Sequence, residues 1–255
     1  MAAKLQGIPT CIHEQNSISG LANRMIARFA DRSFVSIPGK YPFPLQKTMV
    51  YGNPVRQEIL AAAASKQAKE PGKPCTLLVM GGSLGAHRIN LLMLEAIEVI
   101  RAKQPVSFKL IHQTGVADEE QVRAAYAAVG IQAEVKAFFQ DMATQYAQAD
   151  LVLARAGATS LAELSVMGLP ALLIPYPHAA DDHQVQNAKF YVAQGGAEMY
   201  REAELNAELL ATAIMELLNN TKKMEQMGTT MKKMSQPAAA EQILDECMEL
   251  IADRI

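Results

Sequence analysis

Two glycine-rich turns in this sequence have the residue types that bind phosphate groups. Residues Gly81–Ala86 (GGSLGA) follow the apolar run Thr76–Met80 and precede a segment with helical spacing of apolar residues. Residues Arg155–Thr159 (RAGAT) follow a second apolar run, Leu151–Ala154, and open another helix. Glycine lets the backbone approach a ligand closely, and free N–H groups at a helix N-terminus attract anions. Such turns also serve tight packing alone, so each turn by itself leaves both functions open.

Polar side chains after the second turn have the chemistry to bind a sugar. Glu163 lies about one turn into the helix, where its carboxylate could accept two hydroxyls of a ribose. Gln184 and Asn187 are three residues apart and share one face of a helix that follows Asp181–His183. A surface or capping role for Glu163 and an N-cap role for the acidic pair are the alternatives. The pair has no further carboxylate at useful spacing, so we expect no metal site.

Two more polar clusters lie near the start of the chain, His13–Asn16 (HEQN) and Gly52–Arg56 (GNPVR). Each follows a short apolar segment. Ligands of open α/β sheets bind beyond the carboxyl ends of the strands, and both clusters lie at such ends. Arg56 could neutralise a phosphate there. For each cluster taken alone, a turn with a helix cap is the better explanation.

The elements that must position these residues follow from the hydrophobic pattern. Between residues 74 and 200, short apolar runs alternate with helical segments. The runs are wholly apolar, as in a parallel sheet that helices cover on both faces. This predicts one Rossmann-like α/β domain of five or six strands. The first 70 residues hold three candidate strands and one or two helices, which indicates the last part of a second domain.

Composition excludes several classes of protein. Half of the 255 residues are hydrophobic and a fifth are charged, which supports a large core and argues against intrinsic disorder. A net charge of −2 and the absence of Trp argue against nucleic-acid binding. Three scattered cysteines (Cys11, Cys75, Cys247) predict neither a disulfide scaffold nor a structural zinc site. No apolar run approaches the ~18 residues of a transmembrane helix.

Five motifs in order carry a family resemblance: HEQNSISGLANR, YGNPVR, GGSLGA, RAGATSLAE and DDHQVQNA. Together they resemble the MurG family, bacterial transferases that convert lipid I to lipid II with UDP-N-acetylglucosamine (UDP-GlcNAc). The resemblance covers essentially the whole chain. It implies a GT-B type fold, with a complete C-terminal Rossmann-like domain built on a doubly wound parallel sheet. The C-terminal remnant of a second Rossmann-like domain would precede it.

The resemblance also implies domain bounds. Residues 1–60 would be the remnant of the N-terminal acceptor domain, and residues 61–74 a polar linker. Residues 75–236 would form the UDP-GlcNAc-binding domain, and residues 237–255 a C-terminal helix.

By the same resemblance, Ser83 and the backbone around Ala158 and Thr159 would hold the UDP diphosphate. Glu163 would bind the ribose. The GlcNAc hydroxyls would be bound by three further residues, His183, Gln184 and Asn187. Some relatives carry Gln at the position of His183.

Phe138 and the backbone of Phe139 would frame the uracil, with Met142 close by. Asn16 and Arg56 would face the cleft from the other domain. The resemblance assigns no catalytic base to this chain. His13, the one histidine at a cleft-facing strand end, is the candidate that remains.

The family's N-terminal portion, with a GGTGGH-like loop and an apolar, basic-rimmed membrane patch, has no counterpart in this sequence. The expected partners are UDP-GlcNAc, undecaprenyl-linked lipid I and the cytoplasmic face of the cell membrane, with peripheral attachment and no nucleic acid. A second chain could supply the absent domain. No cofactor or metal is implied, because UDP-GlcNAc is a substrate.

Three other interpretations stay open on the sequence alone. One is a non-catalytic UDP-sugar-binding subunit that needs a partner chain. Another is a UDP-GlcNAc 2-epimerase, which shares the fold but requires further acid and base residues in both domains. The third is an inactive product with a stable donor domain. Product analysis without any acceptor separates an epimerase from a transferase.

Overall fold

The first part of the chain forms a small parallel sheet. The computed structural model describes residues 2–67, 70, 72–82 and 86–252. The elements in chain order are α1 (Ala2–Leu5), β1 (Cys11–Glu14), α2 (Leu21–Ile26), β2 (Arg32–Val35), β3 (Thr48–Val50) and α3 (Gln57–Ser65). The three strands pair in the order β1-β2-β3, all parallel.

A six-stranded parallel sheet forms the larger part. Its strands are β4 (Thr76–Met80), β5 (Lys109–Gln113), β6 (Ala133–Lys136), β7 (Leu151–Ala154), β8 (Ala171–Leu173) and β9 (Ala197–Met199). The helices between them are α4 (His87–Lys103), α5 (Glu119–Ala128), α6 (Met142–Gln148), α7 (Ala158–Met167) and α8 (His183–Gln194). Three helices follow, α9 (Ala207–Leu218), α10 (Thr221–Lys233) and α11 (Ala239–Ala252). The predicted α/β class with a doubly wound parallel sheet is confirmed.

The order of the six strands places a crevice in the large sheet at a position where such sheets bind ligands. The six strands run β6-β5-β4-β7-β8-β9, so the order reverses direction between β4 and β7. Ligands of doubly wound sheets bind where the order reverses, beyond the carboxyl ends of the strands. Both glycine-rich turns follow these two strands. The fold therefore brings together the two sequence motifs with the chemistry to bind phosphate.

Burial on both faces explains why the strands read as continuous apolar runs. In β4, Leu77 and Val79 enter one core cluster, and Leu78 and Met80 enter the other. Alternate side chains of a strand point to opposite faces, so a doubly covered strand must be apolar at every position. The sequence pattern is thus a direct consequence of the two-sided core.

The two parts of the molecule share a core. Ile59 of α3 is fully buried and packs with Ile37 and Val55 in the cluster that covers one face of the large sheet. Helix α3 contacts α6 and α7 of the large part. The predicted linker at 61–74 therefore starts inside a helix. The reason is local, because a run of four alanines favours helix.

Helix α11 returns from the large part to the small sheet. The Glu246 carboxylate accepts hydrogen bonds from Tyr51 Oη (2.8 Å) and Arg32 Nε (3.0 Å). Cys247 Sγ lies 3.8 Å from Cys11 Sγ of β1, and both thiols are free. Side chains of α11 thus contact all three strands or strand ends of the small sheet.

One close approach between helices depends on glycine. Gly168 ends α7 in the left-handed conformation, with φ +65°. A Cβ built on Gly228 of α10 would lie 2.7 Å from the Gly168 carbonyl oxygen. Glycine at position 228 therefore lets α10 pack directly against the end of α7. Among the described residues, no helix is both long and apolar enough to span a membrane.

Candidate functional site

The N-terminus of α7 lies at the crevice without a side-chain cap. Gly157 enters the helix in extended conformation and offers no side chain to cap it. The N–H groups of a first helical turn have no partner inside the helix, so those at Ala158 and Thr159 are suited to an anion. Asn53, from the chain segment after β3, donates to Thr159 Oγ1 (3.3 Å). Ser83, predicted to share the diphosphate, lies outside the described residues.

Glu163 is a buried carboxylate held from two sides. Its Oε1 accepts a hydrogen bond from Arg56 Nε (3.1 Å), and its Oε2 accepts one from Tyr146 Oη (3.0 Å). The Glu163 side chain is 7% exposed, whereas that of Arg56 is 44% exposed. Arg56 belongs to the segment between β3 and α3, so this ion pair joins the GNPVR motif to the RAGATSLAE motif. The structure brings together two residues that the sequence predicted to share a cleft.

Asn187 joins the two parts of the molecule. Its side chain is fully buried. Its Oδ1 accepts from Ser17 N (2.8 Å) and Ser17 Oγ (3.0 Å), and its Nδ2 donates to Asn16 Oδ1 (3.0 Å) and Ala156 O (3.2 Å). An amide has two donor hydrogens and two acceptor lone pairs, so all four are used. In this arrangement Asn187 has no free donor hydrogen or acceptor lone pair for the GlcNAc hydroxyls that it was predicted to bind.

Gln184 and His183 begin α8 at the same edge of the sheet. Gln184 Oε1 accepts from the backbone N–H groups of Ala156 (3.2 Å) and Tyr176 (2.9 Å). His183 Nδ1 donates to Ala180 O (2.8 Å), because a carbonyl oxygen only accepts. This fixes the neutral ring in the tautomer whose Nε2 is an acceptor. Gln184 therefore holds loops together through its oxygen, while the His183 Nε2 keeps the chemistry to bind a hydroxyl.

The predicted uracil-binding residues differ in their exposure to solvent. Phe138 is 44% exposed, whereas Phe139 and Met142 are buried. The Phe139 N–H donates to Gln113 Oε1 (3.0 Å), so it is already paired. Gln113 Nε2 in turn donates to Gly82 O (3.2 Å). Gln113 thus links the first glycine-rich turn to the Phe139 backbone. Sequence reasoning missed it, although a polar residue at the end of a predicted strand was a usable signal.

His13 is tied into the small sheet. Its Nε2 donates to Gly52 O (3.0 Å) and lies 3.0 Å from Ser36 Oγ, and Gln15 Nε2 lies 3.4 Å from its Nδ1. Burial lowers the pKa of His13, although the hydrogen bond to Gly52 and the charge of Glu14 oppose this. The ring is therefore neutral near pH 7, with Nδ1 as the nitrogen able to accept a proton. Its catalytic role stays a prediction.

A buried polar network at the N-terminal end of α4 was also missed. Asn90 Nδ2 donates to Asp118 Oδ2 (2.7 Å) and to Thr114 O (2.9 Å). Asn90 Oδ1 accepts from His112 Nε2 (3.0 Å), and His112 Nδ1 accepts from Tyr126 Oη (2.8 Å). Burial lowers the pKa of His112 to about 3. Every polar group has a partner, so the network fixes β5 to α4 directly behind the first glycine-rich turn.

These features define the class of protein. A doubly wound sheet faces a second parallel sheet, and the cleft between them holds an uncapped helix N-terminus and a buried carboxylate. This is the arrangement of an α/β nucleotide-sugar-binding protein with two Rossmann-like parts. Among the described residues, no group of three or more His, Cys, Asp or Glu side chains is placed to hold a metal ion.

Comparison with known proteins gives the family. Residues 76–243 match the glycosyltransferase family 28 C-terminal domain, and residues 1–35 match the glycosyltransferase family 28 N-terminal domain. A UDP-N-acetylglucosamine–N-acetylmuramyl-(pentapeptide) pyrophosphoryl-undecaprenol N-acetylglucosamine transferase of Desulfotalea psychrophila is 44% identical over 250 residues. The match covers 98% of this chain and 67% of the relative. A Geobacter sulfurreducens protein of the same name is also 44% identical, over 96% of this chain and 68% of its own length.

Solved structures agree with this assignment. The crystal structure of Acinetobacter baumannii MurG superposes with a TM-score of 0.83 at 31% identity, over 97% of this chain and 69% of that one. A Neisseria meningitidis UDP-GlcNAc 2-epimerase has a TM-score of 0.67 at 14% identity, which shows a shared fold alone. The chain belongs to the MurG family. It spans about two thirds of the length of these relatives.

Proposed function

We propose that this chain binds UDP-GlcNAc in the crevice of the large sheet and transfers GlcNAc to the lipid-linked muramyl acceptor of peptidoglycan synthesis. The observation that carries the proposal is the buried Glu163 beside the uncapped N-terminus of α7. A carboxylate one turn from an anion-binding helix end suits a ribose and its diphosphate together. Relatives at 44% identity carry a name that describes this reaction.

The reaction would be an inverting displacement. The C4 hydroxyl of the muramyl sugar attacks the anomeric carbon of GlcNAc, and the bond to the UDP oxygen breaks. The leaving UDP keeps the electron pair of that bond, and a general base accepts the hydroxyl proton. The N–H groups of Ala158 and Thr159 would stabilise the charge on the departing diphosphate. These groups supply electrostatic stabilisation without a metal cofactor, so the proposal includes none.

The acceptor would bring the reaction to the cytoplasmic face of the cell membrane. Its undecaprenyl chain stays in the bilayer, so the enzyme must approach the surface peripherally. Asn16 and Arg56 would face this substrate from the small sheet.

The first test measures donor binding to the complete chain by calorimetry, with EDTA present. We expect UDP-GlcNAc to bind and UDP-GalNAc to bind more weakly. Glu163→Gln should weaken UDP-GlcNAc binding by about 10- to 100-fold, since hydrogen bonds to a charged group contribute roughly 1.5–3 kcal/mol. The exposed Glu95→Gln on α4 is the matched control and should bind as the wild type does.

Outcomes separate the functional classes. Folded wild-type protein that fails to bind UDP-GlcNAc would overturn the proposal. Transfer of labelled GlcNAc to a lipid I analogue, with inversion, would establish the complete reaction. Conversion of UDP-GlcNAc alone into UDP-N-acetylmannosamine, or into UDP and free N-acetylmannosamine with water, would instead indicate a 2-epimerase.

A further inference from the structure

Tyr146 reaches the candidate ribose site from inside the core. Its side chain is fully buried in α6, and its hydroxyl lies 3.0 Å from Glu163 Oε2 and 3.6 Å from Met80 Sδ. Burial raises the pKa of Tyr146, and the negative charge of Glu163 raises it further. The phenol therefore keeps its proton across the physiological range. It is a permanent donor to the carboxylate, and it has no route to solvent.

Two donors fix the plane of the Glu163 carboxylate. Tyr146 binds Oε2 from within the large part, and Arg56 binds Oε1 from the side of the small sheet. Arg56 is much more exposed than Tyr146, so a ligand entering the cleft meets Arg56 first and leaves Tyr146 in place. The hydrogen bond from Tyr146 is thus the one that can persist when the site is filled.

The chemistry of a vicinal diol makes this orientation important. Each carboxylate oxygen has two acceptor positions, so Oε2 can accept a ligand hydroxyl while it stays bonded to Tyr146. A ribose presents two adjacent hydroxyls, and both bind well when the carboxylate plane is held at one angle. A 2-deoxyribose lacks one of them and leaves an acceptor of the buried carboxylate unpaired.

We propose that Tyr146 is a positioning residue that orients Glu163 and so sets the selectivity of this site for ribose over 2-deoxyribose. The inference rests on the proposed function, because it takes Glu163 to be the ribose ligand. Tyr146 itself does not touch the nucleotide. Its effect would appear in the ratio of two affinities and would leave the affinity for the deoxy ligand almost unchanged.

The test compares the dissociation constants of UDP and 2′-deoxy-UDP, measured by calorimetry on the complete chain. For the wild type we expect about a tenfold preference for UDP. Tyr146→Phe should reduce this preference several-fold, mainly by weakening UDP. Tyr126→Phe is the matched control, because Tyr126 is equally buried but bonds to His112, and its ratio should equal that of the wild type.

A second variant tests the same inference in case Tyr146→Phe does not fold. Glu163→Asp keeps the charge but withdraws the carboxylate from Tyr146 by one methylene, and it should lower the same ratio. Equal weakening of UDP and 2′-deoxy-UDP in Tyr146→Phe, or an unchanged ratio in Glu163→Asp, would overturn the inference. If the folded wild type binds neither nucleotide, the proposed function fails instead, so the two failures are distinguishable.

Discussion

At the scale of single residues, His112 is the clearest case of a side chain whose protonation is set by burial. It is held neutral between Asn90 and Tyr126, and burial lowers its pKa from 6.5 to about 3. The unfolded chain binds a proton at this residue below pH 6.5, whereas the folded chain does not until the pH is near 3. The stability that the neutral ring contributes is therefore present above pH 6.5 and lost as the pH falls toward 3.

This predicts a specific acid sensitivity. Between pH 7 and pH 5, the unfolding free energy of the wild type should fall by roughly 2 kcal/mol more than that of His112→Gln, whose side chain stays neutral at every pH. Urea titrations at the two pH values would measure the difference. The control is His178→Gln, because His178 is exposed, and its unfolding free energy should fall by as much as that of the wild type. Identical pH dependence in the wild type and His112→Gln would contradict the assignment.

Individual site residues were predictable from sequence to the extent that their chemistry is local. The spacing of Glu163 from a glycine-rich turn is a local feature, and it placed the carboxylate at the start of a helix. Its two partners were not predicted, because they lie 107 and 17 residues away and meet it only through the packing of α3, α6 and α7. The same holds for Asn187, whose contact with Ser17 spans 170 residues.

At the scale of elements, buried strands were predicted best. The bounds of β4 and β7 agree with the apolar runs Thr76–Met80 and Leu151–Ala154, because two-sided burial fixes every residue of the strand. Near the start of the chain, the residues Ile8–His13 predict a strand, whereas the strand in the structure is Cys11–Glu14. In this edge strand only alternate residues are buried, so the hydrophobic pattern marks its ends less sharply.

At the contact between α10 and the end of α7, we expect alanine to be less favourable than glycine, although helices usually show the opposite preference. Alanine usually stabilises a helix by about 1 kcal/mol relative to glycine. At Gly228 the new Cβ would lie 2.7 Å from a backbone oxygen, which cannot rotate away. Gly228→Ala should therefore lower the unfolding free energy by about 1–3 kcal/mol. Gln226→Ala, on an exposed position of the same helix, is the control. A Gly228→Ala protein more stable than the wild type would show that the helices separate at little cost.

At the scale of the whole molecule, Asn187 is the principal polar junction between the small sheet and the large one. Asn187→Leu keeps the branched shape and the number of side-chain heavy atoms but leaves Ser17, Asn16 and Ala156 without their partners. We expect the unfolding free energy to fall by about 2–4 kcal/mol, as for a buried network that loses several bonds. Chemical denaturation would measure this loss. The control is Lys189→Leu at an exposed position of the same helix, which should change the unfolding free energy by less than ~0.5 kcal/mol. An equally small effect in Asn187→Leu would show that Asn187 does not stabilise the contact between the two sheets.

The return of α11 to the small sheet gives the molecule a redundant connection. The chain crosses between the two parts once ahead of β4 and again between α10 and α11, and Glu246 and Cys247 hold the second crossing against β1, β2 and the end of β3. A single cut at the first crossing would divide the chain into two pieces, because Cys11 and Cys247 are free thiols, and only non-covalent contacts such as those of Glu246 would then hold the small sheet to α11. The small sheet is therefore held to the large part at two separate places, by the chain that leads into β4 and by the side chains of α11 that return to it.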